Sequence, residues 1–119
     1  MVKKFDEIRT RDSRGVQIWQ ILIGLARNRQ TITYGMLGEK IGFKGVGVIG
    51  RFLDPIMRYC KQNSLPPLTI VVVSETTGSP GEGLTTIGDE NSDREAVFNY
   101  DWYNLYPPSE ADFAALFRE

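Results

Sequence analysis

Side chains that could carry covalent or metal chemistry are scarce in this chain. It contains one cysteine, Cys60, and no histidine. One cysteine can form neither an internal disulfide nor a cysteine-rich zinc cage, and histidine is the commonest general base and metal ligand. Ser-His-Asp catalysis, Cys-His catalysis and His-ligated zinc are therefore excluded within the chain. Cys60 continues the apolar side of a predicted helix, which favours a small buried hydrophobe over a reactive thiol.

Two other groups of residues could bind ions. The glycine-rich segment 78–83 could hold a phosphate on its backbone N–H groups, but it lacks the lysine and the following helix of a P-loop. Four carboxylates could bind a metal or act as acid and base: Glu75, Glu82, Asp89 and Glu90. Their spacing matches no recognised motif, and solvation accounts for them better. The sequence thus predicts no catalytic residue, no metal and no cofactor.

Charge is divided unevenly along the chain. Residues 1–63 hold 12 Lys/Arg against 5 Asp/Glu, whereas residues 64–119 hold 2 against 10. The two parts therefore carry +7 and −8, although the whole chain carries only −1. Such asymmetry is typical of a surface that faces a polyanion. The alternative is that the two parts form two sides of one fold and neutralise each other.

Composition predicts one folded domain spanning residues 1–119. Apolar residues make up 41% of the chain and charged residues 24%, near the averages of globular proteins. The longest apolar runs, residues 21–26 and 68–73, are far shorter than the roughly 20 residues of a membrane span. The basic start is followed by acidic residues rather than by the apolar stretch of a signal peptide. We therefore expect a cytoplasmic protein without a membrane partner.

The first elements that would position functional residues are three helices. Apolar spacing predicts a first helix over residues 14–29 and a short second helix, which Thr33 caps and Gly42 ends. A glycine-rich turn, residues 42–47, leads into a third helix. This helix is predicted to be nearly continuous across Pro55, because its apolar register survives the proline. Two helices joined by a short turn resemble a helix-turn-helix unit.

The remaining elements are a strand, a hairpin and further helices. The β-branched run at residues 68–73 predicts a buried strand. Turn residues at 76–83 predict a hairpin tip, after which residues 84–87 could return as a partner strand and form a wing. Two capping-box patterns, which begin at Ser92 and Ser109, each predict the start of a helix.

The order of these elements is that of a winged helix. The predicted fold is α+β, mainly α, with a winged-helix core over residues 1–90 and a helical extension over residues 91–119. Residues 31–35 read Thr-Ile-Thr-Tyr-Gly, and in residues 65–73 Leu-Pro-Pro-Leu precedes a run of valines. With the rest of residues 18–84, these segments resemble the C-terminal DNA-binding domain of alkylguanine-DNA alkyltransferases and of their non-enzymatic, alkyltransferase-like relatives.

The catalytic motif of that family is absent. Alkyltransferases carry Pro-Cys-His-Arg, in which the cysteine accepts the alkyl group, whereas residues 67–71 read Pro-Leu-Thr-Ile-Val. The resemblance therefore implies a protein that is not an enzyme. It places Tyr34 at the family tyrosine that helps rotate a phosphate, and the family's arginine finger near Gly47, one turn before Arg51. A closer likeness, in residues 65–83, is to small uncharacterised bacterial proteins, some on mobile elements, and implies no activity.

Cations of the predicted helix-turn-helix define a candidate DNA surface. On a helical wheel, Arg51, Arg58 and Lys61 fall together, opposite the apolar side of the third helix. The predicted nucleic-acid-binding residues are Tyr34, Lys40, Lys44, Arg51, Arg58 and Lys61. The expected partner is double-stranded DNA, bound through the third helix and the wing. A solvated helix face, supported by Asp54 on the same side, and a packed aromatic at Tyr34 are the alternatives.

Two other functions fit different residues. Segment 98–106 has five aromatic residues in nine and no cation, which is typical of a core cover or a protein interface. A protein-interaction module would bind a protein partner, or form a homo-oligomer, through Tyr100, Trp102, Tyr103 and Tyr106. A small planar ligand in a vestigial pocket near Tyr34 and Thr69 is the remaining hypothesis. We expect the segment from residue 91 to pack behind the first helix, which leaves the basic side of the third helix open.

Overall fold

The described part of the fold is mainly helical and contains one two-stranded parallel sheet. The computed structural model describes residues 1–7, 10–43, 46–80 and 89–117, with only the backbone of Val46. The elements are α1 (Arg11–Arg27), β1 (Ile32–Thr33), α2 (Tyr34–Ile41), α3 (Val46–Gln62), β2 (Val72–Val73), α4 (Glu90–Asn99) and α5 (Glu110–Ala115). Short 3₁₀ turns cover Phe5–Glu7, Leu68–Val71 and Trp102–Asn104. The predicted class, α+β and mainly α, is confirmed.

Side-chain caps define where the first two helices begin. The hydroxyl of Thr10 accepts a hydrogen bond from the backbone N–H of Ser13 at 3.1 Å, so α1 begins three residues before the predicted start. The hydroxyl of Thr33 accepts from the N–H of Met36 at 3.1 Å. Gly42, with a φ of 80°, ends α2 in the left-handed conformation that glycine adopts without strain. Both predicted ends of the second helix are confirmed.

Helix α3 runs through Pro55 without a break, as the apolar register predicted. Pro55 is buried where α1 crosses α3, and Gly15 of α1 allows the close approach there. A Cβ on Gly15 would lie 3.1 Å from the ring of Phe113 and 3.5 Å from Pro55. Glycine at this position therefore lets α1, α3 and α5 meet.

The predicted strand over residues 68–73 is mostly wrong. Leu68–Val71 forms a buried 3₁₀ turn, and only Val72–Val73 is a strand, which pairs in parallel with Ile32–Thr33. Pro67 starts the turn, because its carbonyl oxygen accepts from the N–H of Ile70 at 3.0 Å. A short apolar run has no periodicity that separates a strand from a buried turn.

The predicted wing is described only as far as its first turn. Gly78 has a φ of 70° and donates its N–H to the carbonyl oxygen of Ser74 at 2.9 Å, which forms a tight turn. Pro80 then forms an isolated antiparallel bridge with Val73. The predicted return strand, residues 84–87, lies outside the described residues.

The two capping boxes of the C-terminal part have different outcomes. Ser109 and Asp112 form the predicted box, with N–H to side-chain oxygen distances of 3.2 Å and 2.8 Å. The box at Ser92 is wrong, because Asp89 caps α4 instead. Its carboxylate accepts the N–H of Ser92 at 3.0 Å and the hydroxyl of Ser92 at 2.7 Å. These bonds lower the pKa of Asp89.

Large aromatic side chains join the C-terminal part to the core. Trp19 of α1 lies edge-on to Tyr59 at 5.6 Å and to Trp102 at 5.7 Å, measured between ring centroids. Phe113 is fully buried beside them, 6.4 Å from Trp19. Helix α4 packs against α1, as expected, but α5 contacts both α1 and α3. None of the described helices is long and apolar enough to cross a membrane.

Candidate nucleic-acid interface

The two sides of α3 differ sharply in burial and charge. Its inner side packs into the core and consists of Ile49, Leu53, Ile56 and Cys60. Its outer side carries the exposed residues Arg51, Arg58 and Lys61, which we call the α3 basic face. All three cations are exposed, as predicted, but the expectation that the C-terminal part leaves this side fully open is wrong, because Phe117 lies over Arg58. A 17-residue helix is about 25 Å long, so the face extends over several turns.

The three cations of the α3 basic face have different surroundings. Nε of Arg58 donates a hydrogen bond to Oδ2 of Asp54 at 3.1 Å, and the guanidinium lies 4.7 Å from the ring centroid of Phe117. Within the described part of the chain, Arg51 and Lys61 take part in no ion pair. Arg51 and Lys61 are therefore the cations of this face most available to an external anion.

Two glycines of α3 precede Arg51. A Cβ on Gly47 or Gly50 would meet no atom of the described residues within 4 Å. Neither position adds a side chain beside Arg51 on this part of α3. A large rigid surface such as a nucleic-acid duplex could therefore approach the helix closely here.

Phe43, the residue after the Gly42 cap of α2, packs against α3. The N–H of Phe43 donates to the carbonyl oxygen of Gly38 at 2.9 Å, and the ring of Phe43 lies edge-on to that of Phe52 at 5.0 Å. Lys40 is exposed in the last turn of α2, whereas Lys44 lies outside the described residues. The contact between Phe43 and Phe52 thus joins the end of α2 to α3, with Lys40 at the surface of α2.

Sequence reasoning missed a structural role for Arg14. This residue is buried, and its guanidinium donates to the carbonyl oxygen of Ile41 at 3.3 Å and to Oε1 of Gln17 at 2.7 Å. It also stacks on Phe43, 4.5 Å from the ring centroid. The sequence signal that could have revealed this burial is the position of Arg14, four residues before Ile18 on the apolar side of α1. Arg14 therefore braces the end of α2 rather than serving a ligand.

Tyr34 and Thr69 lie inside the protein. Tyr34 is 7% exposed at the start of α2, and Thr69 is 1% exposed in the 3₁₀ turn. The burial of Tyr34 agrees with the packed aromatic rather than with a nucleic-acid contact. Because β1 and β2 are parallel, Tyr34 follows the paired residues and Thr69 precedes them. They therefore flank opposite ends of the sheet, and a pocket shared by both stays a prediction.

The predicted interface aromatics divide into an inner and an outer pair. Trp102 is a correction: it is 3% exposed, and its indole N–H donates to the carbonyl oxygen of Val97 at 2.8 Å, so it belongs to the core. Tyr100 is half-buried against it, with ring centroids 4.6 Å apart. Tyr103 and Tyr106 are 59% and 90% exposed. Of the four, these two are the most exposed, and the hydroxyl of Tyr103 lies near Gly24 of α1.

The one thiol of the chain is poorly suited to chemistry. Cys60 is buried, and burial raises its pKa to about 11. At neutral pH the sulfur is therefore a thiol, which is a weak nucleophile. In the described ranges, no group of three or more Cys, Asp or Glu side chains could hold a metal ion.

The comparisons with known proteins name no family for this chain. No family model, curated protein sequence or solved structure matches it. The placement of its own cations and aromatic residues is therefore what distinguishes the candidate functions.

Proposed function

We propose that this protein is a non-enzymatic, winged-helix-like protein that binds double-stranded DNA through the α3 basic face. The observation that carries the proposal is the outer side of α3, where Arg51, Arg58 and Lys61 are exposed opposite a fully apolar inner side. Exposed cations on one side of a helix can neutralise DNA phosphates and release counterions. An α-helix also fits the width of the major groove.

The arrangement of the cations favours contacts to the DNA backbone over base recognition. Arg51 and Lys61 are ten residues apart, so their Cα atoms are separated by about 15 Å along the helix. They would therefore reach phosphates at different points along the duplex. Phosphate contacts position a protein but carry no sequence information. Since Gly47 and Gly50 offer no side chain to a base, we expect binding with little sequence preference.

The experiment is a salt titration of binding to a fluorescent duplex of mixed sequence. We expect tight binding at low salt that weakens steeply as salt rises. Arg51→Ala should reduce the slope of log affinity against log salt by about one, because one phosphate contact is lost. Arg27→Ala is the matched control, since it removes an exposed arginine from the far end of α1. Equal slopes for both variants and the wild type would contradict the proposal.

We expect no alkyl transfer to this protein, and a duplex that carries an alkylated base tests this expectation. The only thiol is buried and protonated, and the segment at the place of the alkyl-acceptor motif, residues 67–71, has the buried hydroxyl of Thr69 instead of a thiol. Incubation with a duplex that carries an alkylated guanine should leave the mass of the protein unchanged. A mass increase of one alkyl group, mapped to Cys60 or Thr69, would overturn this part of the proposal.

A specific observation favours protein interaction as a second candidate function. Tyr103 and Tyr106 project from the surface beside the acidic C-terminal helices, and exposed tyrosines are frequent in protein interfaces. The simplest partner is a second copy of the chain. Sedimentation should then show association that the double variant Tyr103→Ser, Tyr106→Ser loses. A monomer at all concentrations would remove this candidate and leave DNA binding unaffected.

A further inference from the structure

Two arginines from different helices contact one aromatic ring near the start of α1. The guanidinium carbon of Arg11 lies 3.6 Å from the ring centroid of Phe117, and that of Arg58 lies 4.7 Å from it. Because both contact the same ring, the two guanidinium carbons are at most about 8 Å apart, the sum of these distances. Residues that are distant in the sequence thus form a pair of neighbouring positive charges.

The pair has more cations than acids bonded to it, although Glu110 also lies nearby, where its carboxylate accepts from the hydroxyl of Thr10 at 3.5 Å. Among the described residues, Asp54 is the one acid that bonds to it, through Nε of Arg58 at 3.1 Å. Arg11 and Arg58 are both exposed. A guanidinium that stacks by its flat face keeps its N–H groups, which lie in the plane of the group, free to bond elsewhere. The pair therefore has the charge and the donors to bind a phosphate.

We propose that Arg11 and Arg58 form a phosphate-binding pair, with Phe117 as the residue that positions them. The pair extends the α3 basic face onto the start of α1, so the bound duplex would contact α1 as well as α3. This inference rests on the proposed DNA binding and adds Arg11, which the sequence did not single out. Stacking fixes two long side chains before binding, which reduces the conformational entropy lost when phosphate is bound.

The other end of α1 provides a matched contact in which one arginine is bonded to one acid. Arg29 lies 5.0 Å from the ring centroid of Phe98 and forms an ion pair with Glu95. One arginine and one glutamate leave this contact neutral. Phe98 and Phe117 are both half-buried, so their substitution removes similar side chains from similar surroundings. Phe98→Ala is therefore the control for Phe117→Ala.

The experiment measures the affinity of each variant for the same duplex over a range of salt. Arg11→Ala should lower affinity at low salt roughly fivefold and reduce the salt slope by about one. Arg27→Ala, on the same helix, should change neither. Phe117→Ala should lower the affinity for DNA. Phe117→Trp should keep the wild-type affinity, because the larger ring also stacks on arginine. Phe98→Ala should leave the affinity unchanged.

Each alternative has its own outcome. If Phe117→Ala binds DNA more tightly, Phe117 masks the arginines and the proposal is overturned. If Arg51→Ala weakens binding while Arg11→Ala matches Arg27→Ala, the pair is not a phosphate site although the α3 basic face is. If the wild type shows no salt-dependent binding, the proposed function fails and the inference fails with it. If loss of the Phe117 ring destabilises α5, the Arg11→Ala variant still tests the phosphate site, because it leaves that ring in place.

Discussion

The two ends of α1 hold arginines against phenylalanines in different ways. At its C-terminal end, Arg29 stacks on Phe98 and is neutralised by Glu95. At its N-terminal end, Arg11 and Arg58 share the ring of Phe117, and a single carboxylate, that of Asp54, is bonded to them within the described residues. In the first contact one arginine has one bonded acid, whereas in the second two arginines share one.

The difference between the two ends shows that an arginine–phenylalanine contact can either stabilise the fold or position cations for a ligand. A neutral pair on the surface contributes at most about 1 kcal/mol and attracts no ligand strongly. Two stacked cations with one acid repel each other, and an added anion relieves that repulsion. The C-terminal part supplies both rings, so it can fasten one end of α1 and prepare the other for an anion.

The largest expected effect comes from the residue that anchors the C-terminal part between these two ends. Trp102 packs on Trp19 and bonds to Val97, so Trp102→Ala leaves a cavity and should lower the free energy of unfolding by about 3–5 kcal/mol. Urea denaturation measures this. The exposed Tyr106 is the control, and Tyr106→Ala should change stability by less than about 0.5 kcal/mol. Equal unfolding midpoints for Trp102→Ala and Tyr106→Ala would show that Trp102 does not belong to the core.

A smaller effect separates the two ends by charge. Asp54→Asn removes the acid beside Arg58, and a unit charge about 8 Å from a phosphate is worth about 0.5 kcal/mol in water, so duplex affinity should rise about twofold at low salt. Glu95→Gln removes the acid beside Arg29 and should leave the affinity unchanged. The same duplex titration measures both variants. An equal gain in both would mean that only net charge matters and that the ends do not differ.

The smallest effect concerns the helix that carries Phe98. Asp89 caps α4, and hydrogen bonds from Ser92 hold its pKa below the usual value. A lowered folded pKa contributes stability above the unfolded pKa, near 4, and this stability is lost as pH falls through the lower folded value. Asp89→Asn should therefore show a slightly smaller loss of stability than the wild type between neutral and acidic pH, measured by urea unfolding. Identical pH profiles would contradict the role of Asp89.

Local sequence patterns determined much of the fold. Thr33, Gly42 and Ser109 mark helix ends through bonds to backbone groups within a few residues, so their positions follow from the sequence alone. The basic side of α3 also follows, because the 3.6-residue period places apolar and charged residues on opposite sides. Where two local patterns compete, as with Asp89 and Ser92 at α4, spacing cannot rank them.

Only the tertiary structure decided what depends on distant residues. Residues 68–71 form a turn rather than a strand. A strand there would need a partner strand, and β1 is only long enough to pair with Val72 and Val73. Trp102 is buried against Trp19, whereas Tyr103 stays mostly exposed with its hydroxyl near Gly24, so contacts with α1 place both residues. Arg11, Arg58 and Phe117 meet only because Gly15 lets α1, α3 and α5 approach each other closely. Contacts between residues far apart in sequence leave no periodic signal, so packing alone brings these three side chains together.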